Sequence, residues 1–174
     1  MLIKIVLFIV IAVAAILLYA STKPDSFHVE RSIDIKAAPE KIFPFINDFL
    51  LWNEWTPYNK DPAMKKTFSG RASGKGAMYA WEGNKEVGQG EISITATTPP
   101  NRVELDLHMM EPFEGRNVVV FTITAAGDAS KVTWNMDGAN NMISKVMGLF
   151  FSMDNMIGKD FEVGLTRLKM AAEK

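Results

Sequence analysis

The period of the apolar positions changes along this chain, and each change marks a different kind of element. Residues 5–20, IVLFIVIAVAAILLYA, are an unbroken apolar run with Lys4 before it and Lys23 beyond it. As a helix those residues rise roughly 24 Å, and letting Lys4 snorkel adds Leu2 and Ile3, which brings the run close to the ~30 Å of a hydrocarbon core. It has no polar face, so an ordinary core helix is a poor account of it. A cleaved signal peptide is the competing reading, but LYA before Ser21 puts Leu18 where processing wants a small residue, and the run is long for such a segment. The expectation is an uncleaved transmembrane anchor over residues 1–22, a Pro-containing tether over 23–26 and a soluble domain over 27–174.

Past the tether the period becomes two. In FHVERSIDI, Phe27, Val29, Ile33 and Ile35 fall on one strand face, and only Arg31 breaks the apolar set. APEKIFPFINDF returns to helical spacing with Ile42, Phe43, Ile46 and Phe49, and Pro44 keeps that helix short or kinked. Trp52 and Trp55 are three apart, so one helical turn sets both indoles on one side. Five alternating runs follow: Ala77, Tyr79 and Trp81; Gly88, Gly90, Ile92, Ile94 and Ala96; Val103, Leu105, Leu107 and Met109; Val119, Phe121 and Ile123; Val132, Trp134 and Met136. Turn signals at TTPPN, EPFEG and AAGDAS separate strands, which predicts an antiparallel meander with one apolar face.

The last element, from about Asn141 to Ala172, carries Met142, Val146, Phe150, Met153, Ile157, Phe161, Leu165 and Leu168 as a stripe, with Lys145, Ser152, Asn155, Lys159, Glu162 and Thr166 opposite. Residues 142–161 hold four of the chain's 11 methionines. An interruption is expected at Gly148 and SMDN, with Ser152 or Asp154 capping a longer second helix. Methionine and glycine together suggest a loosely specified surface, and Gly164 at the stripe's centre either permits close approach to the sheet or leaves volume for a guest.

Composition narrows the partners. A net charge of -1 with scattered lysines and arginines offers nothing to nucleic acid. The absence of cysteine removes thiol and thiolate-metal chemistry. Charges flanking the anchor do not decide its orientation; the short head before Lys4 resembles a signal-anchor layout, which puts the domain on the extracytoplasmic side of a single-pass membrane protein.

Taken together, HVERSIDIKAAPEKIFPFINDF, WNEWTPY with the following DP, GKGAMYAWEG with VGQGEI, VTWNMDG and the closing GKDFEVGLTRLK resemble the START-like superfamily, in its polyketide cyclase/dehydrase (SRPBCC) branch. The resemblance covers residues 27–174. It implies an α+β helix-grip fold, a curved antiparallel sheet around a long C-terminal helix, here preceded by one N-terminal transmembrane helix. It also implies a cavity between sheet and helix that takes a hydrophobic or amphipathic, lipid-like small molecule. The inward residues make the candidate lining Trp52, Trp55, Tyr79, Trp81, Leu105, Leu107, Met109, Phe121, Trp134, Met142, Phe150, Met153, Ile157 and Phe161, with Trp52 and Trp55 near the mouth, where they gate it or touch the membrane.

A catalytic constellation is harder to find. His28 and His108 both fall in outward register, and no zinc-ligand spacing occurs. GRASGKG lacks the spacing of a phosphate-binding loop and reads as a turn. Asp160 and Arg167 are expected to pair, while Arg31 either neutralises a headgroup, pairs with a carboxylate or marks a bulge. No cofactor or metal is expected. The alternatives are a cyclase- or dehydrase-type enzyme using Tyr79, Glu82 or Asp160 for proton transfer, and a non-catalytic interaction module whose pocket is filled by its own side chains.

Overall fold

A computed structural model describes residues 2–150 and 152–174, the side chain of Met153 excepted. The apolar run forms helix α1, Leu2–Ser21, whose side chains are exposed apart from half-buried Ala12 and buried Ala20 in its last turn. It is long and apolar enough to cross a membrane. Strand β1 spans Ser26–Ile35, helix α2 Pro39–Asn47, and a 3₁₀ turn covers Leu51–Glu54. Strands β2 (Lys65–Gly70), β3 (Ala77–Glu82), β4 (Gln89–Thr98), β5 (Arg102–Glu111), β6 (Gly115–Ala126) and β7 (Ala129–Ala139) follow, then helices α3 (Met142–Met147) and α4 (Met153–Ala172).

All seven strands form one antiparallel sheet in the order β1-β7-β6-β5-β4-β3-β2. The chain therefore crosses from one edge to the other between β1 and β2, and α2 with the 3₁₀ turn lies in that crossing. Strand alternation selects the buried face as expected: Val103 and Leu105, Val119, Phe121 and Ile123, and Val132, Trp134 and Met136 all point into the core. Two departures have local causes. A bulge between Ile94 and Ala96 turns Ala96 out to solvent. Strand β2 escapes the period-two pattern because KKTFSG is an edge strand, mostly exposed and flanked by lysines.

Helix α4 is capped by Ser152, whose Oγ accepts from the Asn155 amide at 3.2 Å. It packs mainly over β1, with lesser contact to β7, α2 and the 3₁₀ turn. Two devices seat it. The Phe161 ring stacks on Trp134 with centroids 4.0 Å apart and planes 10° from parallel, and Gly164 makes that approach possible, since a Cβ there would lie 2.8 Å from the Trp134 ring and 3.1 Å from Pro57. At the other end, Arg31 reaches from β1 into a niche on α4. Its Nε donates to Glu162 at 2.8 Å, Nη1 to Asp154 Oδ1 at 2.9 Å and to the Glu30 carbonyl, and Nη2 to Asp154 Oδ2 at 3.0 Å and to the Asp154 carbonyl. Every guanidinium donor is thus used. The floor of the niche is Gly158, where a Cβ would fall 2.0 Å from Nη2.

Lys145 corrects the helix-wheel expectation: it is buried on α3 and forms an ion pair with Asp25 in the tether. Asp160 and Arg167 do not pair. Lys60 meets Asp160 at 3.4 Å, and Arg167 donates to the Thr56 carbonyl at 3.1 Å.

Two outcomes follow from the way α4 is seated. Gly164→Ala should lower the stability of the full chain in detergent by ~1–3 kcal/mol through overpacking against Trp134, and Phe161→Ala by ~3–5 kcal/mol, measured by denaturant unfolding. Hydrogen bonding from Arg31 holds the Asp154 carboxyl below the ordinary carboxylate range. A carboxyl so depressed stabilises the fold above its unfolded value, about 4, and loses that contribution as pH falls through the folded value. Asp154→Asn should therefore be less stable than wild type at neutral pH, and the gap should narrow progressively as pH falls below about 4; thermal unfolding across that range measures it.

Candidate functional site

The concave face of the sheet carries a continuous aromatic row. From α4 it runs through Phe161 and Trp134 to Phe121, 4.8 Å from Trp134, and to Trp55, 5.5 Å from Trp134. Trp55 leads to Trp52 at 5.2 Å, Trp52 to Phe49 at 4.9 Å, and Phe49 to Tyr79 at 6.0 Å. Tyr79 then meets both Phe68, stacked at 5.1 Å, and Trp81 at 5.7 Å. Phe68 was invisible to the periodicity, lying in the edge strand whose other residues are polar.

Along this row burial is uneven. Trp52, Trp55, Leu105, Phe121, Trp134 and Phe161 are buried. Trp52 donates its indole N–H to the Ile46 carbonyl at 2.9 Å and Trp55 to the Phe45 carbonyl at 2.8 Å, so the two indoles satisfy carbonyls in the last turn of α2. They are pillars of the core, and neither gates a mouth nor reaches a membrane. Tyr79, Trp81, Leu107 and Ile157 are partly buried against the core, and Met109 is half-buried beside them. Met142 and Phe150 face solvent, 45 % and 68 % exposed, because α3 ends at Met147 and α4 starts separately at Met153, so the two do not share one helical phase. Met153, as a side chain, lies outside the described residues.

The space that glycines leave on this face is taken by the protein itself. The Trp81 ring lies over Gly90, where a Cβ would come within 2.6 Å of it, the Arg31 guanidinium lies over Gly158, and the Trp134 ring faces Gly164. Gly88 has a different reason: its φ of +67° opens the left-handed turn into β4. Two surface clefts among the described residues have no lining residue from α4. One, of about 260 Å³, lies at the β2 edge between Phe49, Phe68, Arg71 and Met78; the other, about 430 Å³, lies beside Asp25, Asp106, Arg116 and Asp137.

Among the described residues four buried side-chain polar atoms have no partner: Asn47 Oδ1, Asn135 Oδ1, Asn140 Oδ1 and Trp134 Nε1. Trp134 Nε1 is buried without an acceptor, unlike the indole nitrogens of Trp52 and Trp55 and that of Trp81, which donates to the Val87 carbonyl at 3.4 Å. Proton-transfer groups are not gathered. Burial pushes the Tyr79 phenol up to about 12, Glu82 stands on the opposite face of β3 in alternate register, and Asp160 is engaged by Lys60. A phenol so raised stays protonated at neutral pH and is poorly matched to general acid–base work. His28 is exposed beside Asp137 at 2.7 Å, and His108 lies between Glu91 and Glu114 on the outer face. Among the described residues no group of three or more acidic or imidazole side chains is placed to hold a metal.

The arrangement can accept apolar surface on the part of the concave face outside the main footprint of α4, where Tyr79, Trp81, Leu107 and Met109 are half-buried against the core.

Solved structures share this fold at low sequence identity. Protein CV1439 from Chromobacterium violaceum superposes with a TM-score of 0.61 at 13 % identity, over 87 % of this chain and 99 % of that one. SA2116 from Staphylococcus aureus gives 0.61 at 12 % identity, over 86 % and 96 %. The Aha1 dimer from Colwellia psychrerythraea gives 0.56 at 20 % identity, over 84 % and 96 %. No curated protein sequence matches the chain. The family model described as polyketide cyclase / dehydrase and lipid transport matches residues 26–173, from the first residue of β1 to the end of α4, and the chain belongs to that family.

Proposed function

We propose that this protein is held at a membrane by α1 and binds an apolar or amphipathic, lipid-like small molecule on the uncovered part of its concave face, without covalent chemistry. The observation that carries the reading is the half-buried aromatic and aliphatic patch of Tyr79, Trp81, Leu107 and Met109 on β3 and β5, continuous with the core and outside the main footprint of α4, which packs over β1. Apolar side chains in that state bury more area when a hydrocarbon covers them, at roughly 25 cal/mol per Å². Family membership supports a hydrophobic ligand in general terms.

A second reading is a non-catalytic interaction module. It is favoured by the glycine-made spaces being filled with Trp81, Arg31 and Trp134, which leaves the sheet–α4 interface closed as it stands. The extracytoplasmic side remains the proposed location of the domain, on the strength of the short charged head at Lys4.

Native mass spectrometry of the full chain, released from detergent after incubation with a total lipid extract, separates the two readings. Ligand binding predicts a discrete adduct that survives mild activation, and Leu107→Glu should reduce its occupancy by ~10-fold by placing a charge on the apolar patch. An adduct-free spectrum, or one unchanged by Leu107→Glu, rejects the patch as a site and leaves the interaction module.

A further inference from the structure

The methionine-rich segment that the helix wheel assigns to the sheet faces the other way. In α3, Lys145 is buried and held by Asp25 of the tether. At 100° per residue, Ile143, Met147 and Phe150 all lie within about 40° of the direction opposite Lys145, the turn after Met147 being continued by the Gly148, Leu149 and Phe150 amides bonding back to Ser144, Val146 and Met147. They are 59 %, 36 % and 68 % exposed. A stripe of large apolar side chains therefore projects from a short element whose opposite face is locked by an ion pair.

The position of that stripe is set by α1. Helix α3 packs against α1, and its leading Asn140 bonds to the carbonyls of Pro24 and Asp25, just beyond the end of the anchor. At that end of α1 the Lys23 ammonium lies 4.3 Å over the Tyr19 ring and donates to its hydroxyl at 3.0 Å. A tyrosine and a lysine closing an apolar helix mark the headgroup level of a bilayer. Strand register brings a further apolar residue to the same end of the sheet. Gly138 opposes Asn117 and Gly115 opposes Met109, so the β5–β6 turn, with Phe113 56 % exposed, and the start of α3 lie at one end. The half-buried patch occupies this end as well, since Met109 and Trp81 both flank Gly90.

We infer that α3 and Phe150 insert their apolar stripe into the lipid interface beside α1, a second hold on the membrane that turns the Tyr79–Trp81–Leu107–Met109 end of the domain toward the bilayer. The occupant of the stripe is a lipid surface. Amphipathic elements of this kind gain from burying their apolar face at the headgroup–acyl boundary, and here the ordering entropy is already spent by the Lys145–Asp25 pair and the α1 contact. The inference rests on α1 spanning the bilayer; it does not require that the patch bind a ligand.

The absence of cysteine permits a clean test. Single-cysteine variants of the full chain, Ile143→Cys, Phe150→Cys, Val10→Cys in α1 and Asp128→Cys in the β6–β7 turn at the far end of the sheet, are labelled with an environment-sensitive fluorophore and reconstituted into phosphatidylcholine vesicles. Labels at 143 and 150 should be quenched several-fold more by lipids spin-labelled near the headgroup than the label at 128, and several-fold less by aqueous iodide; the label at 10 should respond to deep acyl spin labels. Iodide access at 143 and 150 equal to that at 128, with 10 still lipid-quenched, overturns the docking while leaving the anchor intact. Loss of lipid quenching at 10 removes the anchor and the docking with it. Shielding of 143 and 150 from both quenchers means that protein, a second copy of the chain, covers the stripe, and that also overturns the inference.

Discussion

The packing of α4 against the sheet depends on glycine. Gly164 admits Trp134 to within stacking distance of Phe161, and Gly158 admits the Arg31 guanidinium between Asp154 and Glu162. One site is an apolar stack and the other a fully bonded cation, yet both work because a helix without a side chain at one position can be approached by a large group from the sheet. Together they seat α4 over β1 and β7, away from the β3–β5 part of the concave face, where α2 reaches only as far as β5. The location of the candidate ligand patch is a consequence of where α4 is held.

This changes the meaning of the small residues. Gly90 and Gly164 thin the strand and the helix, as the sequence suggests, but the volume is reclaimed by Trp81 and Trp134. The half-buried Trp81 and Met109 lie toward one end of the sheet, where the tether, the start of α3 and the β5–β6 turn also gather. Membrane attachment and ligand capture, on the proposed reading, then share one end of the molecule, so a lipid-like guest would travel a short distance between bilayer and patch.

The Arg31 cluster links stability to that geometry. Its two carboxylate partners, Asp154 and Glu162, sit four residues before and after Gly158, in the N-terminal half of α4. Exposed ion pairs contribute little on their own; a guanidinium with every donor satisfied in a shaped niche fixes the register of α4 on β1. Lys145 with Asp25 does the corresponding task for α3.

Period and turn chemistry in the chain were sufficient to establish the apolar N-terminal helix, the meander, its inward face and the broken C-terminal element, because each depends on neighbours a few residues apart. The helix-grip resemblance rested on the same local patterns. Wheel phase failed where it was carried from α3 into α4: the two are separate helices that do not share one phase, so Met142 and Phe150 turn to solvent and Lys145 turns in. The spacing of Trp52 and Trp55 was legible, but not that their indole N–H groups close the end of α2, nor that Arg31 meets two carboxylates more than a hundred residues away. Those are pairings between distant segments, decided only when the sheet closes and brings them within hydrogen-bond reach.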